Sequence, residues 1–225
     1  MIPIRSLLPA LLVLALVNTS PAAEPPEAAA LAVLASQAGV HEKARACQQL
    51  AVVGGPAAVQ PLASLLSKEP LADYARSGLE TIQDASAGEA LRQALPKLEG
   101  RLLAGVVNSL GVRREKAATS DLQKLALDLK RGVAAEALAS LGMIGTAEAA
   151  KALLAVLANG PTELRVPTAH AALAAAAQLA KEGNPATARE LLDAVVRALP
   201  PGYLATAAQR QVAALSATPA PAVPK

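Results

Sequence analysis

The chain has 225 residues, 53% hydrophobic and 17% charged, a balance too apolar and too weakly charged for a mostly disordered protein. Aromatics reach only 1%, Tyr74 and Tyr203 with no Phe or Trp, so the core must be built from Leu, Val, Ile and much Ala, a set with helix rather than strand propensity. That predicts an all-α protein, and the net charge of +3 with so few stacking rings excludes the usual pattern of a nucleic-acid binder.

Met1 to Arg5 carries positive charge, Leu7 to Val17 is almost unbroken apolar sequence, and Asn18 to Ala23 turns small and polar. This is the order of a secretory signal peptide, so residues 1–22 are expected to be removed after Ala22, with Ala23 as the neighbouring alternative. The apolar run of about 11 residues falls well short of the roughly 20 that a spanning helix requires. A periplasmic or secreted protein follows, with no stable membrane insertion once the signal is gone. Residues 23–27 read as a Pro/Glu/Ala spacer. At the other end, residues 217–225 (ATPAPAVPK) are too rich in proline to sustain a helix and read as a disordered tail.

Between these flanks, residues 28–216 show self-similarity. Helical segments ending in an apolar pair and a turn recur, and taking Val53, Ile82, Leu110, Leu141 and Leu179 as equivalent gives steps of about 28 to 38 residues. A leading half-repeat spans Glu27 to Gln37. Gly54-Gly55-Pro56 then supplies a helix end and the first turn of the next helix. Gly132 ends a helix over Ser120 to Lys130. The clearest copy runs from Val133 to Met143, is broken by Gly142 and Gly145, and resumes from Ala147 to Leu157. Asn159-Gly160-Pro161 and Gly183-Asn184-Pro185 separate the later helices, and a closing helix lies near Tyr203 to Leu215. The pattern predicts about five antiparallel helix pairs with capping helices, stacked as an α-α superhelix.

Two stretches, KARACQQLAVVGGPAAVQPLASLL (Lys43 to Leu66) and AAEALASLGMIGTAEAAKALLAVL (Ala134 to Leu157), resemble HEAT repeats in the short form called PBS-lyase HEAT-like repeats. The likeness covers most of Ala28 to Leu199. From Lys43 through Tyr74-Ala75-Arg76 to GRLLAGVVNSLGVRRE (Gly100 to Glu115), the chain is similar to repeat modules of secreted bacterial proteins. The resemblance implies a HEAT-like helical-repeat solenoid. Some relatives attach or detach bilin chromophores, which implies a chromophore-lyase-like enzyme as one alternative, and the secreted modules often accompany a larger catalytic module, which implies a repeat arm accessory to a larger secreted enzyme as another.

Catalysis needs converging groups, and the sequence contains no G-x-x-x-x-G-K-[ST], G-x-G-x-x-G or G-x-S-x-G motif. No catalytic residue, cofactor or metal site is expected. Cys47 shares a helix stripe with Ala44 and Ala51 and reads as a small buried core residue, with no cation at the obvious spacing to activate it. His41 reads as a surface residue at a helix start, and His170 as a partly buried packing residue.

The stretch Lys97 to Lys116 has the densest run of positive charge. Arg101, Arg113 and Arg114 could capture an anion at an inter-helix edge. Alternatively, Arg113 and Arg114, which follow Gly111 in an inter-helix turn, cap carbonyls of the preceding helix and pair with acids of adjacent repeats. Tyr74, beside Arg76, is either an exposed contact or a staple between repeats. Tyr74, Arg76, Arg101, Arg113 and Arg114 are therefore the candidate protein-binding residues. The function that fits is a non-enzymatic protein-protein interaction scaffold whose second helices line an extended concave face. Gln60, Ser64, Arg92, Gln93, Gln123, Lys124, Lys151, Arg189 and Asp193 are available to that face. Its mixed signs suit a protein partner of unknown identity better than nucleic acid, and the missing Trp and Phe leave the aromatic anchors to that partner.

Overall fold

The computed structural model describes residues 25–217. They form twelve α-helices joined by short turns, four of which are single 3-10 turns, and no strand occurs among the described residues. The helices are α1 (Pro26–Ala35), α2 (Val40–Val53), α3 (Pro56–Ala63), α4 (Ala72–Thr81), α5 (Ala85–Ala94) and α6 (Gly100–Val112). They continue as α7 (Thr119–Leu127), α8 (Ala134–Ile144), α9 (Ala147–Asn159), α10 (Arg165–Lys181), α11 (Pro185–Ala198) and α12 (Tyr203–Ala217). The expected all-α class is what the chain adopts.

Local chemistry explains several helix ends. Pro26, Pro56 and Pro185 occupy first turns, where the missing N–H has no intrahelical partner to lose. Asp84 caps α5 by accepting the N–H of Ser86 at 2.9 Å, and Thr146 caps α9 by accepting that of Ala149 at 3.2 Å. Gly145 ends α8 in the left-handed region at φ 62°, where a Cβ would be strained.

Several boundaries differ from the sequence reading. Gly142 does not break α8 and stays helical. The helix expected over Ser120 to Lys130 stops at Leu127, because Asp128 turns the chain and its carboxylate accepts the N–H of Lys130 at 3.3 Å. Pro26 and Glu27, read as spacer, belong to α1. The Glu27 carboxylate accepts the N–H of Gly55 at 2.7 Å and ties the first helix to the α2–α3 turn. Ala217, read as the start of the tail, closes α12. The signal segment 1–22 and residues 218–225 of the tail lie outside the described residues.

Packing follows two interleaved series. Helices α2, α4, α6, α8 and α10 each pack on the next, with α12 following α10. On the other side α1 packs on α3, α3 on α5, α7 on α9 and α9 on α11. The pair α5 and α7 is the exception and does not close in this way. Between the two series lies one apolar core in which Leu50, Leu79, Leu110, Leu141 and Leu179 are almost wholly buried. Leu50 takes the place assigned to Val53, which is 40% exposed, since α2 runs one turn beyond its packing surface.

The abundance of small residues has a direct structural use. A Cβ on Gly111 would sit 2.8 Å from the Cα of Ser140, and one on Gly142 would sit 2.9 Å from the Cα of Ala171. The α6–α8 and α8–α10 crossings are thus backbone-to-backbone approaches. The buried Ser140 hydroxyl donates to the carbonyl of Val107 at 2.9 Å, so that approach leaves no orphaned hydroxyl.

Candidate functional site

Three of the arginines singled out in the sequence, Arg76, Arg101 and Arg113, gather where α6 packs on α4 and on the connection from α4 to α5. Arg76 on α4 donates through Nη1 to Glu80 Oε1 at 2.7 Å and to Ser109 Oγ at 3.1 Å. The Ser109 hydroxyl in turn donates to the same Glu80 oxygen at 2.6 Å. Gly105 makes room for this side chain, since a Cβ there would lie 3.1 Å from Arg76 Nε. Arg101 on α6 is exposed and bracketed by two acids of the preceding pair, donating to Asp73 Oδ2 at 2.7 Å and to Glu69.

Arg113, at the C-terminal end of α6, reaches across to the connection between α4 and α5. Its Nη1 donates to the carbonyls of Leu79 at 2.7 Å, Glu80 at 3.2 Å and Ile82, and its Nη2 to that of Asp84 at 3.2 Å. The sequence reading placed such caps on the preceding helix. They fall instead on the end of α4, because α6 stacks on α4 and the two helices end side by side. The Asp84 carboxyl is held below the ordinary carboxylate range, first by the Ser86 hydroxyl and N–H and then more weakly by the Arg113 charge.

Arg114 adopts φ 52°, a left-handed conformation rare outside glycine. The N–H of Glu115 bonds the carbonyl of Leu110 and that of Arg114 bonds Gly111, both at 2.9 Å, closing a Schellman turn around it. Its guanidinium donates to Gln178 Oε1 at 2.8 Å and stands 3.9 Å from Glu182, so it ties the ends of α6 and α10. Tyr74 is 40% exposed on α4 and stands at the surface beside shallow hollows shared with Gln48 of α2. His41 is exposed as expected. His170 is exposed too, contrary to its packing assignment, because the buried stripe of α10 runs through Ala169, Ala172 and Ala176 and leaves it outside. Cys47 is fully buried, and that burial pushes its thiol up to about 11.

The second helices present a different surface. Residues foreseen for their face line hollows between neighbours: Gln60, Ser64 and Gln93 between α3 and α5, and Arg92, Gln93 and Lys124 between α5 and α7. The α5–α7 cleft holds about 380 Å³. Arg92 bridges its rim, donating through Nε to Asp121 Oδ2 at 3.1 Å and through Nη1 to Glu89 at 3.0 Å. Leu95 and Leu125, 5% and 8% exposed, form an apolar floor beside Pro96. Arg131 closes one end, its Nη2 held by the carbonyls of Leu98 at 2.8 Å and Leu95 at 3.1 Å. Another hollow, between α9 and α11, includes Leu154, Arg165, Glu190 and Arg197 and holds about 430 Å³.

Arg131, Asp121 and the leucine floor were not singled out in the sequence. The only local cue was a basic residue directly before the turn glycine Gly132, which gives no hint of the helix it would reach. Among the described residues, the side chains of Lys97, Lys124, Lys151, Arg165 and Arg197 have neither hydrogen bond nor ion pair, whereas Arg76, Arg101 and Arg113 are all engaged. Lys43 and Arg45 on α2, Lys181 on α10 and Arg210 on α12 also have unpaired side chains, so uncommitted positive charge occurs on both helix series.

No family model matches this chain, and no curated protein matches it. Among the described residues, no three of His, Cys, Asp and Glu stand together as a metal would need, and no helix is long and apolar enough to cross a membrane.

Proposed function

We propose that the chain is a non-enzymatic protein-protein interaction scaffold of the periplasm or the secreted fraction, built as a HEAT-like solenoid of helix pairs. The observation that carries the reading is the row of solvent-open hollows with polar and charged linings between α3 and α5, α5 and α7, and α9 and α11. Arg76, Arg101 and Arg113 are committed to the contact between α4 and α6, while Lys124 lines the α5–α7 hollow with its side chain unpaired. The ties between helix pairs also recur at nearly constant sequence distance: 28 residues for Arg101 to Asp73, 29 for Arg92 to Asp121, and 33 for both Arg76 to Ser109 and Arg131 to Leu98. That distance matches a helix-pair repeat. In repeat arrays such a surface serves an extended partner rather than a small substrate.

The test is chemical cross-linking in intact cells, with the cross-linked chain identified by mass spectrometry. The scaffold reading expects a reproducible partner joined through residues of α3, α5, α7, α9 or α11, and a mature N-terminus close to Ala23. Recovery of the chain only as an uncross-linked monomer with Met1 retained would count against both the role and the compartment.

A further inference from the structure

We propose that the α5–α7 cleft is the anchor site for the partner, taking an apolar side chain flanked by carboxylates in an extended acidic segment. The proposal rests on the scaffold reading and adds the chemistry of what is bound. The first argument is that the cleft is built into the packing. Neighbouring helices on this side close on each other at α3–α5, α7–α9 and α9–α11, but α5 and α7 pack less closely. Polar ties hold the gap: Arg92 spans its rim to Asp121, and Arg131 is fixed to the carbonyls of Leu95 and Leu98. The volume of about 380 Å³ over Leu95 and Leu125 is large enough for a side chain and offers it apolar contact.

The second argument is charge. Both acids of the rim, Glu89 and Asp121, already share Arg92. Lys124 on the opposite helix has no partner, and neither does Lys97, which opens on the adjoining α3–α5 hollow. What the cleft presents to an incoming segment is therefore the unpaired Lys124 on one side of an apolar floor and the Arg131 guanidinium at its end. The complement is an apolar residue with acidic neighbours. A uniform polyanion fits less well, because Glu89 and Asp121 would face it. The third argument is composition: the chain has no Phe or Trp with which to anchor an interface. Interface energy concentrates in anchors seated in pockets, so here the anchor comes from the partner and the pocket from this chain.

The experiment uses the blocked peptide Ac-Glu-Phe-Glu-NH2, with Ac-Lys-Phe-Lys-NH2 and Ac-Glu-Ser-Glu-NH2 as comparisons, titrated into the isotope-labelled mature protein and followed by amide chemical shifts. The acidic aromatic peptide is expected to shift amides of α5, α7 and residues 129–131. Lys124→Glu should weaken it about five- to tenfold, as expected for reversal of one exposed charge facing an acid. Lys181→Glu, an exposed reversal on α10, should leave it unchanged, and circular dichroism melts of both variants would confirm that they fold. Equal binding of the lysine peptide, or indifference to Lys124→Glu, overturns the assignment. If the shifts fall instead around Tyr74 or in the α9–α11 hollow, the cleft assignment fails while the scaffold reading stands. If none of the three peptides shifts α5 or α7, the cleft assignment fails, and the cross-linking result alone decides the scaffold reading.

Discussion

Arg113 offers the sharpest test of how the helix pairs are joined. Replacing it with Met keeps most of the aliphatic stem and removes the guanidinium that donates to the carbonyls of Leu79, Glu80, Ile82 and Asp84. A hydrogen bond from a charged donor contributes about 1.5–3 kcal/mol net, but three of these acceptors share one nitrogen, and their contributions do not simply add. Once the side chain is gone, water can reach part of the α4 terminus, which lowers the cost further. The balance comes to about 3 kcal/mol, and for a chain of this size about 6–12 °C in melting temperature. Urea and thermal unfolding followed by circular dichroism would measure the loss. Hydrogen exchange should place it at residues 79–86, where the end of α4 and the start of α5 lose their clamp. Arg113→Lys should recover only part of the stability, since a single ammonium cannot span the same acceptors. A melting temperature within about 1 °C of wild type for Arg113→Met would refute the clamp and make the guanidinium available to a ligand after all.

Arg114 should behave oppositely: Arg114→Gly removes the left-handed strain and an exposed contact, and is expected to stabilise by about 0.5–1 kcal/mol, read from urea midpoints. Gly142→Ala drives a Cβ into the backbone of Ala171 and should cost about 1–3 kcal/mol in the same assay, with no loss meaning that α8 and α10 can part freely. Cys47 should react with a thiol reagent only through opening of the fold. Because its folded pKa of about 11 lies above the ordinary value of 9.0, the folded state keeps a proton that the unfolded chain loses, so stability should fall as pH rises from 9 to 11. Comparing pH-dependent urea midpoints of wild type and Cys47→Ala isolates that contribution, and identical slopes would show the thiol is not the group responsible.

The features legible in the sequence were the local ones. Small aliphatic composition with helical spacing led to the all-α class, Gly132 and Gly145 marked turns, and the stripe through Ala44 and Cys47 placed the thiol in the core. Boundary errors arose where a side chain overrode the spacing, as with the Asp128 turn, or where a glycine served packing rather than chain reversal, as with Gly142. Val53 was misaligned because periodicity alone cannot say where a helix outruns its neighbours. The arginine run Lys97 to Lys116 was visible, but its partners were not. Asp73, Leu79 and Ser109 lie about one helix pair away in the chain, and nothing local connects them to Arg101, Arg113 or Arg76. The open second-helix face was legible in part through Gln60, Ser64, Gln93 and Lys124, while its floor required knowing that α5 and α7 pack less closely than their neighbours.

The two halves of this picture depend on each other. Apolar packing alone does not set the spacing of α5 and α7, because Leu95 and Leu125 are already almost wholly buried. Directional contacts hold it on both sides of the core. Arg76, Arg101 and Arg113 fix α6 against α4, and Arg92 and Arg131 fix the rim and the end of the cleft. Hydrogen bonds of this kind lose strength steeply with distance and angle, so they define a spacing where dispersion would favour the shortest one. The same charge density that looked like a binding edge in the sequence thus acts as the frame of the cleft beside it. Lys124 at the cleft and Lys97 at the adjoining hollow stay outside that frame, with side chains free to meet a partner.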